Sequence, residues 1–311
     1  MNPTVARDEV PDLGPVPTRI PVDERLVREL IMTQFPQWSE LPIRRVAEEG
    51  WDNRTFHLGP ELMVRVPSAY EYGLAVEKEQ RWLPVLAPQL PLPIPEPVAL
   101  GEPGAGYPYH WSVYRWLPGD PVSRDAITDL TGFATALADF LLALRAIDAT
   151  DAPGPGLHNW FRGGTLLTFA AQLEENLITL AGLINTEVVT EIWRLALESP
   201  WDGVPLWFHG DVASGNLLLR DGSLGAVIDF GTCGAADPAC DLTIAWTLLT
   251  GESRAAFRDR LAVDEASWAR GRGWALWKAL SGYAGAVRDD QAEPIESRSV
   301  LEEIVADHLA R

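Results

Sequence analysis

The spacing of apolar positions changes character along this chain. Residues 1–21 are proline-rich and show no regular apolar spacing, which predicts an extended N-terminal arm. From Asp23 the run Asp-Glu-Arg-Leu-Val-Arg-Glu-Leu-Ile predicts a helix, with acidic residues in the first turn where the helix dipole favours them. Three short runs follow at 44–48, 55–58 and 62–66, separated by Glu-Gly-Trp-Asp-Asn and Gly-Pro, and predict an antiparallel meander. A helix is predicted over 72–86. Beyond it Pro88, Pro91, Pro93, Pro95 and Pro97 forbid helix and mark an extended passage. Runs 98–100 and 111–116 then flank the turn-rich 101–108, and the second ends at Leu117-Pro118-Gly119. After this junction, 125–147, 166–184 and 187–198 show the three-and-four spacing of amphipathic helices. They are interrupted at 206–230, where Asn216-Leu-Leu-Leu and Gly225-Ala-Val-Ile-Asp flank Asp221-Gly222-Ser223 and predict a hairpin. The expectation is an α+β protein with a strand-rich lobe over 22–117 and a helical lobe over 118–311. No internal repeat is visible.

Composition narrows the field. A chain of 311 residues with 47% hydrophobic content is long enough for two cores and is not disordered. The formal charge of −19 argues against nucleic acid as a partner and would attract a cationic one. No apolar stretch is long enough to span a bilayer, and Met1 to Ile20 carries Asp8 and Glu9 in place of a signal-peptide core, so a cytoplasmic protein without a membrane partner is expected. Cys233 and Cys240 are the only cysteines; they make no disulfide framework and lack the neighbours of a zinc site.

The chemistry lies in His209-Gly210-Asp211-Val-Ala-Ser-Gly215-Asn216 and Val227-Ile228-Asp229-Phe230-Gly231. Asp211 precedes one hairpin strand, Asn216 stands where that strand begins, and Asp229 ends the return strand, so the hairpin brings the three side chains to one edge. Phosphoryl transfer from a nucleotide needs such a set: a carboxylate to take or orient the nucleophile's proton, and oxygen ligands for Mg²⁺. Asp211 suits the first role; Asn216 and Asp229 suit the second.

The pattern His-Gly-Asp-x4-Asn followed by Ile-Asp-Phe-Gly, with Asp237-Pro238-Ala-Cys-Asp241-Leu242 beyond it, resembles the aminoglycoside phosphotransferase family and its choline-kinase-like relatives. The likeness implies a two-lobed, protein-kinase-like fold and Mg²⁺-dependent transfer from ATP or GTP to a hydroxylated small molecule. It also implies that Asp211 is the catalytic carboxylate, that Asn216 and Asp229 are metal ligands, and that His209 is a structural brace, with a base role as the alternative. Asp241 would tie down the catalytic loop, and Asp237 would cap the helix that Pro238 begins.

On the nucleotide side, Glu49-Gly50-Trp51-Asp52-Asn53-Arg54-Thr55 occupies the place of the phosphate-covering turn, with Asn53 as a contact candidate. Arg65 stands where kinases usually carry a lysine, and can still bind phosphate through its fixed fork of donors. Its expected partner is Glu79, with Glu77 the alternative. By position, the backbone of Tyr114, Arg115 and Trp116 would read the adenine edge. Aminoglycosides are the default acceptor; macrolides, capreomycin-like peptides, choline, methylthioribose and homoserine are the alternatives. Loose acceptor candidates are Glu174, Glu175, Asp289, Asp290 and the aromatic segment from Trp268 to Tyr283. Two rivals remain: a silent nucleotide-binding pseudokinase, which the intact Asp211, Asn216 and Asp229 oppose, and a protein kinase, which the short interval between Gly231 and Asp237 opposes.

Overall fold

Asp23 starts the first helix, because its carboxylate accepts the Leu26 amide at 2.8 Å and α1 (Glu24–Gln34) follows; such a cap is worth about 1 kcal/mol over alanine. The structure is a computed structural model and describes residues 10–11, 13–47, 50, 52–290 and 295–310. Glu49 and Trp51 of the expected phosphate-covering turn therefore lie outside the described residues, as do residues 1–9 and Asp12 of the arm.

α1 packs on a five-stranded antiparallel sheet of β1 (Ile43–Arg45), β2 (Asn53–Leu58), β3 (Leu62–Pro67), β4 (Pro97–Gly101) and β5 (Trp111–Arg115), ordered β1-β2-β3-β5-β4. Successive strand residues face opposite sides. Phe56, Leu58, Val64, Val66, Trp111 and Val113 thus join Val27, Leu30 and Ile31 in one core, while Met63 and Tyr114 turn to the other face and pack on the larger core. Arg65 lies on that second face by the same alternation, in register with Thr55 and Ser112. α2 (Tyr70–Leu86) lies between the sheet and the segment after Asp229.

The larger core belongs to the helical lobe. There β6 (Asp120–Pro121), α3 (Leu130–Ala146), α4 (Ala170–Thr179), α5 (Thr186–Leu197), β7 (Leu206–Phe208), β8 (Leu217–Arg220), β9 (Ser223–Val227), β10 (Gly234–Ala236), α6 (Ile244–Thr247), α7 (Gly251–Leu261), α8 (Glu265–Arg288) and α9 (Ile295–Leu309) follow in order. β8 and β9 form the expected hairpin, joined on its outer side by β6, and β7 pairs with β10. The architecture is the α+β, two-lobed arrangement that the sequence pattern implies.

Two helices start or stop elsewhere than their spacing suggests. α3 begins at Leu130 rather than 125 because Asp129 accepts the Gly132 amide at 2.9 Å, while Arg124–Ala126 form a separate 3-10 turn and the Thr128 amide is bonded to Gly222. The run 166–184 breaks into a 3-10 turn, Leu166–Phe169, and α4. Cys233 and Cys240 are buried free thiols, as their apolar surroundings suggest. Among the described residues, no helix is long and apolar enough to cross a membrane.

Candidate active site

The chain leaves β7 into His209-Gly210-Asp211 through a turn that only glycine fits. Gly210 has φ 87°, and a β-carbon there would lie 2.5 Å from the carbonyl oxygen of Thr232. Asp241, fully buried, accepts the His209 amide at 3.1 Å and the Gly210 amide at 2.7 Å. Each amide left without that acceptor would cost about 1–3 kcal/mol. The Asp211 amide donates to Nδ1 of His209, so the ring carries its proton on Nε2 and donates it to the Ile228 carbonyl at 2.9 Å. Both ring nitrogens are occupied, which removes His209 as a base. Asn216 then donates its amide to the Asp211 carbonyl at 2.9 Å and to its Oδ2 at 3.0 Å. The return strand delivers Asp229 in the left-handed region, φ 63°, a conformation that aspartate tolerates better than most residues.

Across the lobe junction, Arg65 donates to Oδ1 of Asp229 at 2.8 Å and to Oε1 of Glu79 at 3.3 Å. Glu77 is turned away and pairs with His110 at 3.0 Å, so Glu79 is the partner. The buried Tyr114 hydroxyl holds the other oxygen of Glu79 at 2.8 Å. Burial would lower the Arg65 pKa, but Asp229 and Glu79 outweigh it and fix the positive charge. Asn53, Met63, Arg65, Trp116, Asn216 and Asp229 line a cleft of about 190 Å³. Asp52 also faces it; burial, and then the charge of Asp229, push its carboxyl up to about 7.

Of the expected hinge, two amides are already taken. The Arg115 amide is donated to Glu96 and the Trp116 amide to Glu61, both at hydrogen-bond distance, so neither is left for a base edge. Tyr114 lies within the sheet and acts behind Glu79; what Trp116 offers the cleft is its ring, packed 4.1 Å from that of His57.

On the other side of Asp211 opens a cavity of about 470 Å³. Lys278 of α8 forms an ion pair with Oδ1 of Asp211. Burial would raise the Asp211 pKa, but Lys278 and Arg162 outweigh it and hold the carboxyl below its ordinary range. Sequence reasoning missed both cations, and also the buried Lys78 of α2, which donates to the carbonyls of Gly231 at 2.7 Å and Cys233 at 2.9 Å and so fastens α2 to the segment after Asp229. The acidic acceptor candidates fall elsewhere. α4 turns Leu173 and Asn176 inward, which leaves Glu174 and Glu175 exposed, and Asp289 and Asp290 are exposed at the end of α8. From the aromatic segment of α8, Trp277 lines the cavity, whereas Trp268 and Tyr283 are buried in the core.

Among the described residues, no group of three or more His, Cys, Asp or Glu stands ready to hold a metal. The local donors nevertheless suit Mg²⁺, which binds few protein oxygens and completes its shell with water and phosphate. Asn216 turns its amide nitrogen to Asp211 and so leaves its carbonyl oxygen, and Asp229 has the oxygen that Arg65 does not take.

The model of the phosphotransferase enzyme family (APH) matches residues 43–275. Among solved structures, the GDP complex of wild-type aminoglycoside 2'-phosphotransferase-IIIa is 21% identical, covers 92% of this chain and 100% of its own, and superposes with a TM-score of 0.70. The streptomycin–ATP complex of APH(2")-IIa is 16% identical over 92% of this chain and 97% of its own, TM-score 0.58. Macrolide 2'-phosphotransferase MphH from Brachybacterium faecium is 19% identical over 89% and 97%, TM-score 0.55. At these identities the likeness is one of fold. No match is found among curated protein sequences.

Proposed function

This chain belongs to the phosphotransferase enzyme family, and we propose that it moves the γ-phosphoryl group of ATP or GTP onto a hydroxyl of a small molecule. The observation that carries this reading is the junction itself: Asp211 bonded to Asn216, and Asp229 bonded to Arg65 from the opposite lobe, between two cavities that share Asp229 and Asn216. The smaller cleft takes the nucleotide, with Arg65 on its phosphates, Asn53 at the covering turn and the Trp116 ring against the base. Asn216 and Asp229 would hold Mg²⁺, which supplies charge neutralisation for the triphosphate when bound. The larger cavity takes the acceptor, and its size suits a drug-sized molecule.

Asp211 orients the acceptor hydroxyl and takes its proton as the oxygen–phosphorus bond forms and the bond to the departing nucleoside diphosphate breaks. His209 and Asp241 hold the loop that presents it. The aminoglycoside reading draws its support from the neighbours, whose structures contain kanamycin, gentamicin and streptomycin; the macrolide enzymes of the same fold make macrolides equally worth testing.

Lys278 has a consequence for pH. Asp211 works as its anion, and its low pKa keeps it so into the acid range. Removing the Lys278 charge takes away the largest counterweight to burial, so the pKa rises and the acid limb of the rate profile should move to higher pH in Lys278→Met. Rate profiles of the two proteins check this; an unmoved limb would show that Lys278 does not set the ionisation of Asp211. The function itself is tested by release of nucleoside diphosphate that depends on acceptor. Aminoglycosides, macrolides, and neutral and charged alcohols form the panel, and a member of it should give diphosphate and phosphorylated acceptor in equal amounts. Nucleotide hydrolysis indifferent to every acceptor would count against it.

A further inference from the structure

The acceptor cavity is not the acidic surface that a formal charge of −19 suggests. Three acids line it, and two of them are engaged. Asp211 is held by Lys278 and Asn216, Asp229 by Arg65, and Asp52, which lines both cavities, has its carboxyl pushed up to about 7 by burial and then by the charge of Asp229. The cation left over is Arg162. Its guanidinium lies over the rings of Trp277, 4.7 Å from centroid to Cζ, and Trp274, 5.5 Å. Its Nη1 is shielded from solvent and has no hydrogen-bond partner. A buried donor without an acceptor is costly unless a ligand supplies one.

The loop that carries Arg162 is built to hold it there. Trp160 and Phe161 both lie in the left-handed region, φ 54° each, a strained pairing for two large side chains. Buried Asn159 fixes the turn by accepting the Gly156 amide at 2.9 Å and donating to the Gly154 carbonyl at 3.2 Å. Gly163 follows at φ 74°, where a β-carbon would lie 2.3 Å from the Phe208 ring. The same loop sets Trp160 against Tyr72, 5.8 Å between centroids, facing a cavity whose other walls include Phe169 and Trp277, 4.2 Å apart. Leu13 and Val16 of the N-terminal arm add apolar surface.

We propose that the acceptor is a flat, apolar alcohol that carries a carboxylate or similar anion: its ring system lies among the aromatic walls, the anion meets Arg162, and the hydroxyl reaches Asp211. This rests on the phosphotransferase reading and deepens it. A polycation would bring charge to Arg162, whose Nη1 has no acceptor, and would meet in Asp52 a carboxyl that burial pushes up to about 7.

Three naphthalene probes of one shape test this: 6-(hydroxymethyl)-2-naphthoate, its carboxamide, and the corresponding naphthylmethylamine, with kanamycin as the polycation. Calorimetric titration should rank the anion first, the amide second and the amine last, with about tenfold or more between first and last, the scale of a charge-assisted hydrogen bond. Arg162→Gln should remove the advantage of the anion over the amide and leave the amide's affinity unchanged; Arg162→Lys should keep the order. Thermal melts establish that each variant is folded, and if Arg162→Gln is not, the wild-type order and Arg162→Lys decide. Tighter binding of kanamycin or the amine, or no binding by the anion, overturns the proposal. So does an Arg162→Gln defect that falls equally on all probes or on Mg–nucleotide, since Arg162 would then be a phosphate clamp. Nucleotide titration of the wild type separates the two readings: absence of Mg–nucleotide binding sinks the phosphotransferase reading, whereas kanamycin preference sinks only the acceptor assignment.

Discussion

Replacing Asp211 with asparagine should lower turnover by about 100-fold or more while leaving Mg–nucleotide affinity within a few-fold of wild type. Asparagine keeps the shape but cannot take a proton. It also disturbs the local pattern, because Asp211 now accepts from both Lys278 and Asn216, and an asparagine amide facing either one would set donor against donor. The loop itself should hold, since His209 and Gly210 are fastened to Asp241 rather than to Asp211. Single-turnover assays read the chemical step apart from binding. Near-normal turnover would remove Asp211 from the chemistry, and a loss confined to nucleotide affinity would move it to the metal.

Asp229→Asn should abolish the gain in nucleotide affinity that Mg²⁺ gives the wild type. Two effects compete: the variant loses an anionic oxygen ligand, which weakens the metal-bound complex, and it loses a negative charge beside the triphosphate, which favours the metal-free one. Titration with and without Mg²⁺ separates them. With the metal, affinity should fall about 10- to 100-fold, the scale of charged hydrogen bonds; without it, affinity should hold or rise. Asparagine is the right substitute, because it too tolerates the left-handed backbone at φ 63° and avoids a folding defect. An unchanged response to Mg²⁺ would show that Asp229 serves only as the partner of Arg65.

The residues that the sequence made legible are those joined by short, regular structure. Asp211, Asn216 and Asp229 sit on one hairpin, so their spacing alone places them at one edge. Strand alternation likewise settles the face of Arg65, but the choice between Glu79 and Glu77 depends on which face of α2 meets the sheet, since residues two apart on a helix point nearly opposite ways. Arg162 and Lys278 left no local signal. Lys278 meets Asp211 across 67 residues and looks in sequence like one more solvated lysine on a helix. Arg162 sits in a loop whose strain appears only in its dihedral angles. The hinge is a different case: the position of Arg115 and Trp116 was legible, but not that their amides are already donated to Glu96 and Glu61. Asp125 and Asp129 both suit a helix start, and only the bond from Gly132 selects Asp129.

The most direct test of the account follows the phosphoryl group itself. With γ-labelled ATP or GTP, Mg²⁺ and the best acceptor of the panel, a rapid-quench experiment on the full chain should place the label on the acceptor hydroxyl in step with nucleoside diphosphate, and Asp211→Asn should slow that appearance by about 100-fold. Label found only as inorganic phosphate, or transferred at the same rate by Asp211→Asn, would contradict the assignment of this junction as a phosphotransfer site.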